Sequence, residues 1–107
     1  MNQRIEIERV CKTLHAQARG LMFSRKKTAL FIFRKEKKVI FHTWFVFYPI
    51  HFILLDKNKR VVEIKDFLKP FSTYRTKVKT KYVIESPYKI NTVIGRTVGW
   101  KRKRGDR

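Results

Sequence analysis

The residues of this sequence that could perform chemistry are few and widely spaced. Cys11 and His15 lie four residues apart, so that on a helix they would share one face, as two metal ligands or as a nucleophile and its base. No second pair with metal-ligand spacing exists, and no glycine-rich oxyanion segment accompanies the cysteine. A buried thiol near a surface imidazole explains the pair better. The sequence therefore predicts no metal site and no cofactor.

His42 and His51 fall in apolar stretches that are predicted to form strands. Histidines in that setting are more often hydrogen-bonded core or edge residues than general bases. The sequence also contains no phosphate-binding loop, no dinucleotide-binding glycine pattern and no paired carboxylates of the hydrolase type. These observations predict a protein that is not an enzyme.

Basic residues are the dominant chemical feature, because 27 Lys and Arg stand against 8 Asp and Glu and give a net charge of +19. Such an excess repels itself unless an anionic partner shares the surface, which favours a polyanion. A solvated charged face is the plainer reading of any single cluster. The residues expected to contact RNA phosphates are Arg25, Lys26, Lys27, Arg34, Lys35, Lys37, Lys38, Arg75, Lys77, Lys79, Lys81, Arg96, Lys101, Arg102, Lys103, Arg104 and Arg107.

The segment from Tyr74 to Ile84 has the most regular pattern, with Arg75, Lys77, Lys79 and Lys81 at every second position. On one strand these four cations would share a face at intervals of roughly 7 Å, close to the spacing of successive phosphates. Aromatic side chains beside basic residues could add base stacking. The candidates are Tyr74, Tyr88 and Trp100, although packing against the last strand explains Trp100 equally well.

The longest stretch without a charged residue, Val39 to Leu55, is predicted to form the core. Its length approaches that of a membrane-spanning helix, but Pro49 and the abundance of β-branched and aromatic residues favour strands. We expect two strands, Val39 to Phe47 and Ile50 to Leu55, with Pro49 at the entry to the second. Continuous apolarity predicts burial on both faces.

Shorter patterns complete the prediction of one mainly β domain over residues 1–100, followed by a basic tail over 101–107. Asp56 to Arg60 is read as a turn built on Asn58 that closes a hairpin. The other predicted elements are strands at Arg4–Val10, Ala29–Phe33, Val61–Phe67 and Val93–Trp100, a short helix from Thr13 to Gly20, and a basic turn at Arg34–Lys38. No apolar run follows Met1, so no signal peptide is predicted and a cytoplasmic location is expected.

Several blocks resemble the uncharacterised ACR family, a small family of mainly β proteins from bacteria and archaea. The blocks are ARGLMF at Ala18–Phe23, HTWFVFYPIHFILLD at His42–Asp56, RVVEIKD at Arg60–Asp66 and KTKYVIESP at Lys79–Pro87. The resemblance covers roughly residues 5 to 99. It implies a compact antiparallel β-sandwich or barrel of jelly-roll type, and it brings no established activity.

The sequence departs from the family pattern at two places. His51 stands where members usually carry an acidic residue, and Val98-Gly99-Trp100 stands where they usually have a Gly-Asp pair. The basic tail also runs past the usual end. These departures suggest that a common scaffold has been adapted to bind a polyanion.

The leading hypothesis from sequence is therefore a structural RNA-binding protein, part of the ribosome or another large ribonucleoprotein. Its partners would be ribosomal RNA and neighbouring ribosomal proteins, with no membrane and no small-molecule cofactor. Two alternatives remain open. One is a small-molecule or peptide-binding β domain, and the other is a peripheral protein that meets anionic lipid.

Overall fold

The computed structural model describes residues 2–11, 28–43 and 47–102. The predicted helix from Thr13, the basic residues Arg25, Lys26 and Lys27, and the end of the tail from Lys103 lie outside the described residues. The strands in the described part are β1 Asn2–Ile7, β2 Arg9–Cys11, β3 Ala29–Lys37, β4 Ile40–His42, β5 Ile50–Leu55, β6 Val61–Leu68, β7 Thr73–Arg75, β8 Thr80–Ser86 and β9 Thr97–Arg102.

A five-stranded sheet with the order β2-β3-β8-β5-β6 forms the centre of the fold. Strands β2 and β3 pair in parallel, and the other neighbours pair antiparallel. Two smaller sheets accompany it, a parallel pair of β1 with β9 and an antiparallel pair of β4 with β7. The prediction of a mainly β fold is confirmed. In the described residues these sheets do not close into a barrel.

The small sheets cover the two faces of the central sheet. On one face a first core forms, in which Phe41 of β4 packs with Phe52, Leu54 and Val83 of the central strands. On the other face a second core forms, and its members include Ile5, Ile7, Leu30, Ile53, Leu55, Val61, Ile84 and Val98. Strands β5 and β8 thus contribute side chains to both cores, as the continuous apolarity of β5 predicts.

Of the two strands predicted within Val39 to Leu55, the second is confirmed and the first is corrected. Strand β5 has the predicted bounds, and Pro49 precedes its first residue. Among its described residues, the first predicted strand supplies one strand, the three-residue β4, which pairs with β7 in a separate sheet. No helix in the described residues is long and apolar enough to cross a membrane.

The predicted hairpin of β5 and β6 is confirmed, but its turn is organised by Asp56 instead of Asn58. The Asp56 carboxylate accepts hydrogen bonds from the backbone N–H groups of Asn58 at 2.8 Å and Arg60 at 3.0 Å. Lys59 has the left-handed φ of 61°. A short acceptor at the start of the turn therefore fixes it, which is a recognised role of Asp.

Three other predicted elements have different bounds in the structure. The predicted strand Arg4–Val10 divides at Glu8 into β1 and β2, because Glu8 turns aside to exchange hydrogen bonds with the backbone of Thr28. The predicted basic turn at Arg34–Lys38 instead continues β3 as far as Lys37. The last strand begins at Thr97 and extends through Lys101 and Arg102, which pair with Glu6 and Ile7.

The prediction of a single alternating strand from Tyr74 to Ile84 is wrong. Strand β7 ends at Arg75 and β8 begins at Thr80, so Lys77 and Lys79 lie in the connection between them. Side-chain acceptors hold this connection. The hydroxyl of buried Thr76 accepts the Val39 N–H at 2.9 Å, and the buried Glu63 carboxylate accepts the N–H groups of Lys77 at 2.8 Å and Val78 at 3.2 Å. The four cations therefore do not form one row on one strand.

Glu63 also accepts a hydrogen bond from the hydroxyl of Tyr74. Burial, followed by this bond and the nearby charge of Glu63, raises the pKa of Tyr74 to about 12. We expect the substitution Glu63→Ala to reduce the free energy of unfolding by about 2–4 kcal/mol, because it leaves three donors without their acceptor. Chemical denaturation measures this change.

Glu36→Ala is the matched control, because the half-buried Glu36 carboxylate accepts one backbone bond, from Lys57 N–H at 2.9 Å. That substitution should cost less than about 1 kcal/mol. Equal losses for the two variants would contradict the anchoring role of Glu63.

Glu85 is a carboxyl group held in the central sheet, opposite Phe52 on β5 and Ala29 on β3, with an exposed fraction of 6%. Burial raises the pKa of Glu85 from 4.5 to about 8. The side chain is therefore protonated in the folded protein at neutral pH, whereas it is ionised in the unfolded chain.

The raised pKa predicts a pH-dependent stability. Below pH 4.5 both states hold the proton, and the stabilising contribution of the neutral form is complete. As the pH rises towards 8, the unfolded chain alone releases the proton, so the free energy of unfolding falls by about 1 kcal/mol per pH unit. Denaturation curves between these limits should show this slope, and Glu85→Gln should remove it. An equal slope in both proteins would contradict the assignment.

Candidate ligand-binding groove

The predicted RNA contacts are spread over several elements. Arg34, Lys35 and Lys37 lie on β3 and Lys38 follows it, Arg75 lies on β7, Lys81 on β8, and Lys101 and Arg102 on β9. Lys81 uses its ammonium group to bind the carbonyl oxygen of Arg34 at 2.7 Å. Of the predicted cations that the structure describes, Arg96 lines the groove described below and the others are not in its lining. The individual roles of all these cations stay predictions.

Two of the three predicted stacking residues already have ring partners within the protein. The ring of Trp100 lies 4.9 Å from that of Tyr82, and the Lys59 ammonium lies 4.6 Å from the Trp100 ring. Tyr74 is bound through its hydroxyl to Glu63, and the Lys65 ammonium lies 5.7 Å from its ring. Tyr88 differs, since its side chain is 61% exposed. For Trp100 the structure shows the packing alternative.

An irregularity in the pairing of β5 and β6 occurs beside His51. Ile50 pairs with Leu68 and Phe52 pairs with Lys65, so the two residues Asp66 and Phe67 stand opposite the single residue His51. This is a β-bulge, and Phe67 adopts a left-handed φ of 55° within it. Such a φ costs free energy for a bulky residue, and strained conformations of this kind are concentrated at active sites and ligand-binding sites.

The bulge brings His51 and Asp66 together. The Nδ1 atom of His51 accepts the Phe67 N–H at 3.3 Å and lies 3.4 Å from an Asp66 carboxylate oxygen. The Phe67 ring also packs edge-on against the imidazole, with centroids 4.4 Å apart. His51 is buried, whereas Asp66 is 31% exposed. The bulge therefore points a carboxylate outwards while its inner side remains tied to the core.

Asp66 lines an open groove of about 400 Å³ between β6 and the connection from β8 to β9. This volume falls in the range of small-molecule sites. The lining combines charged, polar and aliphatic side chains, namely Ile64, Asp66, Lys89, Ile90, Asn91, Thr92, Val93 and Arg96. Ile64 and Ile90 also pack against the second core, so the groove has a firm apolar base.

Residues 87–96 form the outer wall of the groove, and backbone and side-chain bonds tie this wall to three strands. Tyr88 N–H binds the Ser86 hydroxyl at 3.0 Å, and Gln3 of β1 donates to the Asn91 carbonyl at 2.8 Å. Val61 of β6 exchanges bonds with Gly95 and Arg96. The φ of 94° at Gly95 suits a type II turn from Val93 to Arg96. The wall is thus held in place before any ligand binds.

The two cations of the groove, Lys89 and Arg96, have different partners. Lys89 approaches the second Asp66 oxygen at 3.9 Å. Arg96 instead donates to the neutral amide oxygen of Gln3 at 3.2 Å. Among the described residues, no carboxylate lies within ion-pair distance of Arg96. The groove therefore holds one matched pair of charges and one cation with a neutral partner.

Thr92 supplies the least satisfied polar atom in the groove. Its hydroxyl oxygen is buried, and none of the described residues forms a hydrogen bond with it. Buried hydroxyl groups are normally hydrogen-bonded, because losing water without replacement costs free energy. The buried hydroxyl of Thr92 therefore costs the folded protein free energy.

Among the described residues, no group of three or more His, Cys, Asp or Glu side chains could hold a metal ion. His15, the proposed partner of Cys11, lies outside them. Sequence reasoning named Arg96 and noted His51, but it missed Asp66, Lys89, Asn91 and Thr92. Asp66 could be predicted to face the groove only if the bulge in the β5–β6 pairing were known, because the bulge changes the direction of its side chain.

Comparisons with known proteins agree with the resemblance found in the sequence. Residues 1–101 match the family model DUF192, uncharacterized ACR. The UPF0127 protein PH1112 of Pyrococcus horikoshii is 37% identical over 82 residues, which are 74% of this chain and 70% of that protein.

Two crystal structures share the fold. A protein of unknown function from Novosphingobium aromaticivorans matches with a TM-score of 0.66 and 22% identity over 72% of this chain and 59% of that one. A "putative transcription regulator" from Sinorhizobium meliloti matches with a TM-score of 0.67 and 18% identity over 72% of this chain and 64% of that one. This chain thus spans about six tenths of each of these structures.

The predicted ribosomal RNA-binding function is wrong. The family is uncharacterised, and neither the archaeal relative nor the two similar structures is described as ribosomal or RNA-binding. The prediction failed because net charge produces a long-range field that attracts many anions and identifies none of them. The match over residues 1–101 and the 37% identity show instead that this chain belongs to the DUF192 family of uncharacterised proteins.

Proposed function

We propose that this chain is a small-molecule-binding β domain, without enzymatic activity, whose ligand occupies the groove between β6 and residues 87–96. The lining of this groove is the observation that carries the proposal, because it sets the Arg96 guanidinium, whose partner is the neutral amide of Gln3, beside aliphatic surface. The mixed lining supports the same conclusion, because aliphatic surface supplies affinity while a few polar groups orient the ligand.

Preorganisation gives further support. The outer wall is bound to β1, β6 and Ser86 without help from a ligand, and the bulge fixes Asp66 against His51. A ligand that enters such a groove spends little free energy on ordering the protein, which improves affinity. We also propose that the protein is cytoplasmic and that its strands have the predicted jelly-roll arrangement.

Binding can be tested with three six-carbon ligands that have similar alkyl chains and head groups of different charge: hexanoate, hexanamide and hexylamine. Titration to about 20 mM detects binding free energies as weak as about 2 kcal/mol. We expect at least one ligand to shift the amide NMR signals of Ile90 to Val93. The proposal is overturned if none of the three shifts these signals.

Val93→Trp should block the groove, because Val93 lines it and is 54% exposed, so a larger ring fits there without entering the core. Val78→Trp is the matched control, since Val78 is also partly exposed, at 39%, and lies outside the groove lining. The first variant should lose the shifts and the second should keep them. Shifts that survive in Val93→Trp would place the ligand elsewhere.

Thr92→Val should stabilise the protein. Replacing the unpartnered hydroxyl with a methyl group of similar size removes a desolvation penalty, so the free energy of unfolding should rise by about 1 kcal/mol. The exposed Thr73 provides the control Thr73→Val, for which we expect less than about 0.5 kcal/mol. If Thr92→Val lowered stability instead, the hydroxyl would have a partner in the free protein.

A further inference from the structure

The groove contains a cation that its own residues leave without a counter-charge. Arg96 carries a guanidinium with five donors in a planar fork, and Gln3 accepts from one of its terminal nitrogens. No carboxylate among the described residues lies within ion-pair distance of it. The fork matches the two oxygens of a carboxylate or a phosphate, which it binds in a bidentate manner.

Asp66 restricts which anion can fit. It lines the same groove, and Lys89 and His51 lie near its two oxygens at 3.9 Å and 3.4 Å. Because Asp66 already balances Lys89, Arg96 carries the one unbalanced positive charge of the lining, which a ligand with one negative charge matches and a dianion exceeds. The charge of the lining therefore favours a monoanion over a dianion. The overall charge of +19 also attracts an anion and repels a cation.

The remainder of the lining determines the body of the ligand. Ile64, Ile90 and Val93 present aliphatic surface beside the polar groups. Val93 is 54% exposed, so a chain lying against it would remove apolar surface from water.

We infer that the ligand of the groove is an aliphatic monocarboxylate, with its carboxylate on Arg96 and its alkyl chain on Ile64, Ile90 and Val93. The inference rests on the proposed function, since it names the ligand class of the same groove. It assigns Arg96 a role as the charge-recognising residue and Asp66 a role in excluding dianions.

Dissociation constants of four ligands on the wild-type protein test the inference: hexanoate, hexanamide, hexylamine and hexyl phosphate. Hexanoate should bind about tenfold more tightly than hexanamide, because its bond to Arg96 is charge-assisted. It should also bind more tightly than the amine and the phosphate. Tighter binding of hexylamine would overturn the inference in favour of Asp66 as the head-group site, and tighter binding of hexyl phosphate would overturn the selection for a monoanion.

Arg96→Gln should weaken hexanoate about tenfold and leave hexanamide nearly unchanged. Arg75→Gln removes the same charge from exposed Arg75 on β7, away from the groove, and should change neither affinity by more than about twofold. Equal effects of the two variants would show that the overall field and not Arg96 selects the anion, which overturns the inference. Groove binding by hexanamide or hexylamine alone contradicts this ligand class and preserves the proposed function, whereas no groove binding by any ligand contradicts both.

Discussion

Strands β5 and β8 are covered on both faces, and this constraint governs the rest of the structure. Side chains of β5 alternate between the first core and the second core, and β8 does the same. Any polar group on these strands must therefore be neutral or hydrogen-bonded. Glu85 meets the condition by holding its proton, as its raised pKa of about 8 implies. His51 meets it by accepting the Phe67 N–H at Nδ1.

The bulge links this buried requirement to the surface. One extra residue on β6 gives His51 two neighbours, and the second, Phe67, accepts a left-handed conformation so that its N–H reaches the imidazole. The same displacement turns Asp66 towards the groove. A core histidine and a groove carboxylate are thus two consequences of one change of register. The groove is consequently as rigid as the sheet edge that carries it.

The sequence predicted the parts of the fold that local patterns control. The uninterrupted apolar run predicted β5 with its observed bounds, and the turn residues after it predicted the hairpin. Alternation misled at Tyr74 to Ile84, because Glu63, distant in sequence, captures the N–H groups of Lys77 and Val78 and interrupts the strand. Period-two patterns carry no information about such long-range acceptors.

The groove was less predictable than the fold, since it depends on a one-residue bulge and on contacts between Gln3 and residues 91–96. We propose that the ligand lies in this groove and not on the exposed aromatic pair of Phe47 and Phe71. Intermolecular nuclear Overhauser effects from bound hexanoate decide between the two most directly. The account predicts contacts from the alkyl chain to the methyl groups of Ile64, Ile90 and Val93. Contacts to the rings of Phe47 and Phe71 alone would contradict it.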